Sequence, residues 1–436
     1  MPVESPPPAP EVYERYRRGE LATAPDWAWI DAAEVSGAPD RVAEQISDAI
    51  RTHMRGLVDV SRDIHAHPEL NFEEHHAAAA VATLLRSLGF EIEVGRWGLE
   101  TAFRSTVGTG TPHVAILAEY DALPEVGHGC GHNVICATAV GAFLCVAPLV
   151  AELGGKVSLF GTPAEEGGGG KELIARAGGL DDVDAALMAH PGDEDYAHIR
   201  CLGLRQVDVT FRGRSAHAAS AAYLGRNALD AAVSAYTSLA QLRQHLLPED
   251  RVHGVITKGG AKANIVPEQA ALSYYLRSPT VETLEELTNR TEAIFRAAAA
   301  ATATSVEIDW DVAPIFLPVR TNAALASRYI EAMQARGRDV RREGTRPSGS
   351  TDLGNLSVRI PSIHPIVAMV EPGIPAHSHD FREASVSPDA EAAIEDAAVA
   401  LAQTAADYLA DPILRRTVAE EFEAAGGAVN VVALDR

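Results

Sequence analysis

The sequence predicts an α/β protein: a mostly parallel sheet flanked by helices, interrupted by a smaller inserted α+β module. Two observations carry that expectation. Three short apolar segments, residues 113–118, 156–161 and 184–189, are separated by helical stretches, the β-α-β-α order of a parallel sheet. Between residues 203 and 314 the pattern changes to half-exposed alternation, in the β-α-β-β-α-β order of a ferredoxin-like module. A chain of 436 residues also exceeds the usual size of one hydrophobic core. The expected division is a leader over residues 1–38, a main domain over 39–202 and 315–436, and an inserted domain over 203–314.

Residues 1–38 read as loose, because Pro6, Pro7, Pro8, Pro10 and Pro25 punctuate a polar stretch. Val42, Ile46, Ile50, Met54 and Leu57 recur with helical period over 41–63, and a second helix is expected over 77–88, before Gly89. His65 and His67 stand beside Pro68, where a structural turn accounts for them. The strand 113–118 leads to Cys130 and His132, and the apolar run 134–150 reads as a buried helix. The positive end of that helix is expected to favour a Cys130 thiolate. The strand 156–161 runs into Glu165-Glu166 and four glycines, the strand 184–189 into His190, and a fourth strand, 365–370, precedes His377. Inside the module, strands are expected at 206–211, 252–258, 270–276 and 305–312, with helices at 227–247 and 281–301.

Composition narrows the function. Thirty-seven Lys and Arg against 60 Asp and Glu give a formal charge of −23, which argues against nucleic acid or an anionic membrane as partner. Cys130, Cys136, Cys145 and Cys201 form no framework of spaced pairs, so a reducing, cytoplasmic setting is expected. Residues 1–10 lack the basic and apolar segments of a secretion signal. No unbroken apolar run of about 18 residues reads as a membrane span.

In parallel sheets, functional groups gather beyond the carboxyl ends of the strands, and Cys130, His132, Glu165, Glu166, His190 and His377 all fall there. Singly, each has a bland reading. Gly129-Cys130-Gly131-His132 is either a metal loop or a turn over a buried cysteine, and Glu165-Glu166 alone is a solvated acidic pair. Together they supply soft, imidazole and carboxylate ligands, plus a carboxylate left over as base, as metal-assisted hydrolysis requires. The four glycines match no G-x-x-x-x-G-K-[ST] pattern, which discounts nucleotide binding.

Several motifs occur in one characteristic order: His65-Ala66-His67-Pro68-Glu69-Leu70, Glu119-Tyr120-Asp121-Ala122-Leu123-Pro124, Gly129-Cys130-Gly131-His132, Pro163-Ala164-Glu165-Glu166, Ala189-His190-Pro191, Gly213-Arg214-Ser215-Ala216-His217 and His377-Ser378. From about residue 41 to 410 the chain resembles the binuclear-metal aminoacylase/dipeptidase/carboxypeptidase family, in the amidohydrolase branch that includes auxin-conjugate hydrolases. Cys130-Gly131-His132-Asn133 and the segment from Gly349 to Asn355 are most similar to aminobenzoyl-glutamate hydrolases and β-alanyl-lysine dipeptidases; auxin-conjugate hydrolases usually carry Asp where Asn133 stands.

The resemblance implies a metallopeptidase catalytic domain with a lid/dimerisation module, and two divalent ions, Zn or Mn, per subunit. Cys130 would be shared by both ions, with His132, Glu166, His190 and His377 completing the set, although His379 stands close by. Glu165 would be the general base. His217 and Asn264 would reach the neighbouring subunit's site in a homodimer. His128 and Asp121 would orient ligands. Arg277 is either a partner for a substrate carboxylate or a surface arginine, and Thr351 and Asp352 either line the pocket or form an exposed turn. The expected activity is hydrolysis of the amide bond in a small N-acyl amino acid or dipeptide-like compound. The alternatives are hydrolytic deamination of an aromatic amine, and a metal-binding scaffold without activity; the intact Glu165 speaks against the last.

Overall fold

The computed structural model describes residues 10–21, 23–31, 35–344 and 349–436. It holds two compact units. One comprises Leu202–Pro318 with Ala433–Arg436 and the described residues up to Thr23; the other comprises Ala24–Cys201 and Val319–Val432.

The second, larger unit is built on a six-stranded sheet in the order Glu93–Val94, Phe103–Gly108, Lys156–Gly161, His113–Ala118, Ala185–Leu187, Ser362–Ile363. The last four strands are parallel, and the first two join the edge antiparallel. The two central strands are buried almost end to end, which is why they read as apolar runs rather than alternation. Helix His132–Val146 is buried at every position, packed on strand His113–Ala118 and against helices Asp40–Ala66 and Pro388–Ala410. The stretch His132–Leu153, 22 residues, contains an 18-residue window of mean hydropathy 2.4 and is apolar enough to cross a membrane by length and composition, although no unbroken apolar run marks it. In this protein 89% of that apolar window is buried in the core.

Helix Asp40–Ala66 buries Val42, Ile46, Ile50, Leu57, Val60 and Ile64 along one stripe and runs past its expected end. His65 is therefore helical, and His67 caps the helix just before Pro68.

The fourth expected strand departs from the sequence reading. Its core, Ile366–Ala368, belongs to a separate four-stranded sheet, parallel to His190–Gly192 on one side and antiparallel to Tyr196–His198 on the other, with Arg341–Glu343 beyond Tyr196–His198. Ser362–Ile363 takes the place in the main sheet instead, next to Ala185–Leu187. Pro365 offers no N–H to continue a ladder, and its carbonyl accepts the His190 N–H at 2.9 Å, so the chain changes sheets there.

The leader also differs from a loose segment where it is described. Helix Glu11–Arg17 is braced by Arg17 on Glu14 at 2.8 Å, and Tyr13 lies beneath the Arg290 guanidinium, 5.7 Å from ring centre. Asp411 accepts the N–H groups of Ser36 and Gly37, and Asp407 that of Ala38. Prolines fix φ without preventing such local pairing. Residues 1–9, 22 and 32–34 of that leader lie outside the described residues.

The smaller unit carries an antiparallel sheet in the order Ser305–Trp310, Gly203–Arg212, Gln269–Ser278, Arg251–Lys258. Helices Ala228–Leu242 and Val281–Ala301 pack on it, and Val207, Val209 and Phe211 are buried as their alternation predicts. Strand Arg251–Lys258 forms one edge, with Val255 60% and Ile256 41% exposed.

Candidate metal centre

The centre lies where the strands of the larger unit end. Strand His113–Ala118 delivers Glu119 and Asp121, and the chain then turns through Gly131, at φ 74°, into helix His132–Val146. Strand Lys156–Gly161 delivers Glu165 and Glu166 through a tight reversal: Ala164 has φ 60°, and a Cβ on Gly170 would lie 1.8 Å from the Pro163 carbonyl oxygen. Only glycine permits that approach.

These loops bring together five of the sequence-predicted residues. Cys130, His132 and His190 each present one ligand atom within 4.8 Å of the others, and so do Cys130, Glu166 and His377. Cys130 belongs to both groups. Its Sγ is 3.5 Å from His190 Nε2, and His377 Nε2 is 3.3 Å from Glu166 Oε1. His379 instead begins helix His379–Ala384.

Supporting contacts aim these donors. His132 Nδ1 meets Asp121 Oδ1 at 3.0 Å, leaving Nε2 to face the cluster, and Asp121 Oδ2 accepts the Glu166 N–H at 2.9 Å. His190 Nδ1 pairs with the Pro191 carbonyl at 2.7 Å, which turns its Nε2 inward. An imidazole held at one nitrogen with the other directed at a shared point is the usual arrangement around a metal. His128 is buried beside His65, ring centres 6.2 Å apart, and burial lowers its pKa to about 3.

Three residues missed in the sequence reading complete the surroundings. Lys171, fully buried, donates through Nζ to Asp352 at 2.6 Å and to Glu119 at 2.5 Å, and its N–H donates to Asp352 at 2.9 Å. Glu119 Oε2 lies 3.5 Å from His132 Nε2. Glu74, also fully buried, accepts the N–H of Ala164 and the hydroxyl of Thr101. Glu119 stands in the Glu119-Tyr120-Asp121 motif at a strand end, a signal that was available. Nothing in the pattern distinguishes Lys171 or Glu74 from surface charges.

The remaining predicted residues are placed as follows. Thr351 and Asp352 are buried, which excludes the exposed turn, and Lys171 occupies both oxygens of Asp352. In the smaller unit, exposed His217 and Asn264 sit on adjoining segments, with the Ala218 N–H on the Asn264 carbonyl at 3.1 Å. Arg277 lies in strand Gln269–Ser278, opposite Leu204 and Arg251.

Electrostatics separate the two adjacent glutamates. Burial, then the charges of Glu119, Glu166 and Asp352, hold Glu165 well above the usual carboxylate range. Burial also pushes Glu166 up, but the His377 contact and the His132 charge outweigh it and leave Glu166 low. Burial, then Glu166, raises the Cys130 thiol; a divalent ion on Sγ would draw that proton off.

These residues fit divalent cations. Glu119, Glu165 and Asp352 surround Lys171, Asp121 and Glu166 stand on the far side of His132, and Glu119 Oε2 and His132 Nε2 are buried without a hydrogen-bond partner. Buried charges of one sign with orphaned acceptors are costly unless cations offset them.

The sequence pattern of peptidase family M20/M25/M40 matches residues 115–407. A mouse protein named Xaa-Arg dipeptidase is 39% identical over 412 residues, covering 90% of this chain and 94% of the mouse protein. The chain belongs to the M20/M25/M40 peptidase family. It is thereby a hydrolase acting on C–N bonds, with divalent metal. One of the subunits of p-aminobenzoyl-glutamate hydrolase from Escherichia coli is 37% identical over 300 residues, 63% of this chain and 62% of that protein. Among solved structures, a dinuclear metal-binding M20 peptidase from Bacillus subtilis shares the fold at TM-score 0.63 and 21% identity, covering 82% of this chain and 99% of that one.

Proposed function

We propose that this M20-family member hydrolyses the amide bond of a dipeptide or N-acyl amino acid, using two Zn or Mn ions held by Cys130, His132, His190, Glu166 and His377. The observation that carries the reading is that Cys130 stands in two groups of donor atoms, with His132 and His190 and with Glu166 and His377, so that these five residues would hold the ions. Thiolate and imidazole donors suit Zn(II), while the carboxylate leaves Mn(II) open. Bound divalent ions supply Lewis acidity and make water more acidic.

Glu165, whose carboxylate stands in one group of donor atoms with His132 and Glu166, takes a proton as water oxygen bonds to the carbonyl carbon, then passes it to the leaving nitrogen as the C–N bond breaks. A carboxylate and a free amine result. Asp121 and the Pro191 carbonyl keep His132 and His190 oriented throughout. In this reading Arg277 binds the substrate carboxylate, and the loop of Thr351 and Asp352 backs the pocket.

The active form is proposed as a cytoplasmic homodimer, without nucleic-acid or membrane partners. The exposed edge strand Arg251–Lys258 supports the dimer, and the cysteine spacing, which forms no framework of pairs, supports the compartment. His217 and Asn264 of one chain act at the partner chain's metal centre. The names of the relatives suggest the substrate panel: dipeptides ending in Arg, and aminobenzoyl-glutamate. Release of a free amino acid from any of these supports the proposal. Ammonia from an aromatic amine, with every amide intact, favours deamination instead.

A further inference from the structure

We propose that Asp63, His67 and His76 form a third cation site, suited to Zn(II), on the surface of the larger unit. His67 caps helix Asp40–Ala66, Asp63 stands one turn earlier, and His76 opens the next helix, His75–Ser87. One ligand atom from each lies within 4.8 Å of the other two. His76 Nε2 is 2.9 Å from Asp63 Oδ2, and His67 Nδ1 is 3.2 Å from Asp63 Oδ1. Donors bound tetrahedrally at zinc distances stand roughly 3.3 Å apart, so small movements suffice.

His67 Nδ1 also lies 2.9 Å from the Asp63 carbonyl oxygen, which holds the ring beside the Asp63 carboxylate. The two imidazole rings stand 4.2 Å apart, tilted by 38°. All three side chains are about half exposed, so water can complete a four-coordinate site. Two imidazoles and one carboxylate favour a borderline ion such as Zn(II) over a hard one such as Mg(II).

The position gives the site a consequence. His67 and His76 bracket a segment that braces the metal centre. Within it, the Glu69 carboxylate accepts the N–H groups of His76 and Ala77, and the Glu69 carbonyl accepts the Ala122 N–H. Asn71 Nδ2 donates to the Glu166 carbonyl at 2.8 Å. An ion joining Asp63, His67 and His76 would staple both ends of this segment, so it would stabilise the native chain by linkage.

The test is equilibrium dialysis of the holoenzyme against Zn(II), with the thermal midpoint followed in parallel. The wild type should bind one equivalent beyond those of the Cys130 centre, and its Tm should rise by about 2–4 °C at saturation. The double variant H67A/H76A, and separately H67Q/H76Q as a milder replacement, should keep the Cys130-centre equivalents and lose both the extra one and the Tm rise. No extra equivalent in the wild type, or one that persists in both variants, overturns the proposal. The count at the Cys130 centre, read by C130A, reports independently on the catalytic reading.

Discussion

The Glu74 carboxylate accepts the Ala164 N–H at 2.9 Å across 90 residues of sequence, and so fixes the turn that places Glu165. The same oxygen takes the Phe72 N–H, also at 2.9 Å, and both Phe72 and Ala164 have positive φ, 65° and 60°. Two non-glycine residues in the left-handed region are strained unless their surroundings hold them there, and Glu74 is the group that does so.

Glu74→Ala should therefore lower kcat by about a hundredfold, the scale of a misplaced catalytic group. Glu74→Gln should recover most of the loss, since its carbonyl oxygen still accepts both N–H groups. Kinetics of both variants at equal metal content make the comparison. Equal impairment of the two would show that the hydrogen bonds are not what matters.

Cys130→Ala should lower metal content as well as turnover. Both ligand groups lose a donor at once, and His132, His190, Glu166 and His377 remain as two incomplete sets. Elemental analysis of the purified variant checks this, and full occupancy would make Cys130 a packing residue.

Glu165→Gln and His217→Ala should each be inactive alone yet complement when mixed. If His217 acts on the partner chain, half of randomly exchanged dimers are mixed, and each has one intact site. About one quarter of wild-type activity should then return. Proven subunit exchange without recovery would place the action of His217 elsewhere.

Glu421 supplies a pH signal far from the chemistry. Its carboxylate accepts the N–H groups of Ala323 and Ala324, and burial raises its pKa from 4.5 to about 7. Between those values the folded chain binds a proton that the unfolded chain has lost, so the contribution of this group to stability falls as pH rises. Glu421→Gln should gain in Tm relative to wild type from about pH 5 to about pH 7.5. An unchanged difference across that range would exclude Glu421 as the source.

Strand ends were legible because each pairs a short apolar run with an abrupt Gly, Pro or His turn, and that marked Cys130, Glu165, Glu166 and His190 beyond strands of the main sheet, whereas His377 follows a strand of the other sheet. Sheet membership was not legible. Residues 365–370 look apolar whichever sheet they join, and only the pairing of Pro365 with His190 decides it. Lys171 and Glu74 were missed for a related reason. A buried charge is recognised by its partners, and those partners lie far along the chain: 52 residues separate Lys171 from Glu119 and 181 separate it from Asp352.

The most direct measurement is the turnover of Glu165→Gln at a metal content shown equal to wild type, on an amide substrate read out as free amine. A loss of about two to four orders of magnitude is expected, because the amide cannot take the water's proton while the ligand groups around Cys130 are untouched. Near-normal turnover in that fully loaded variant would contradict it.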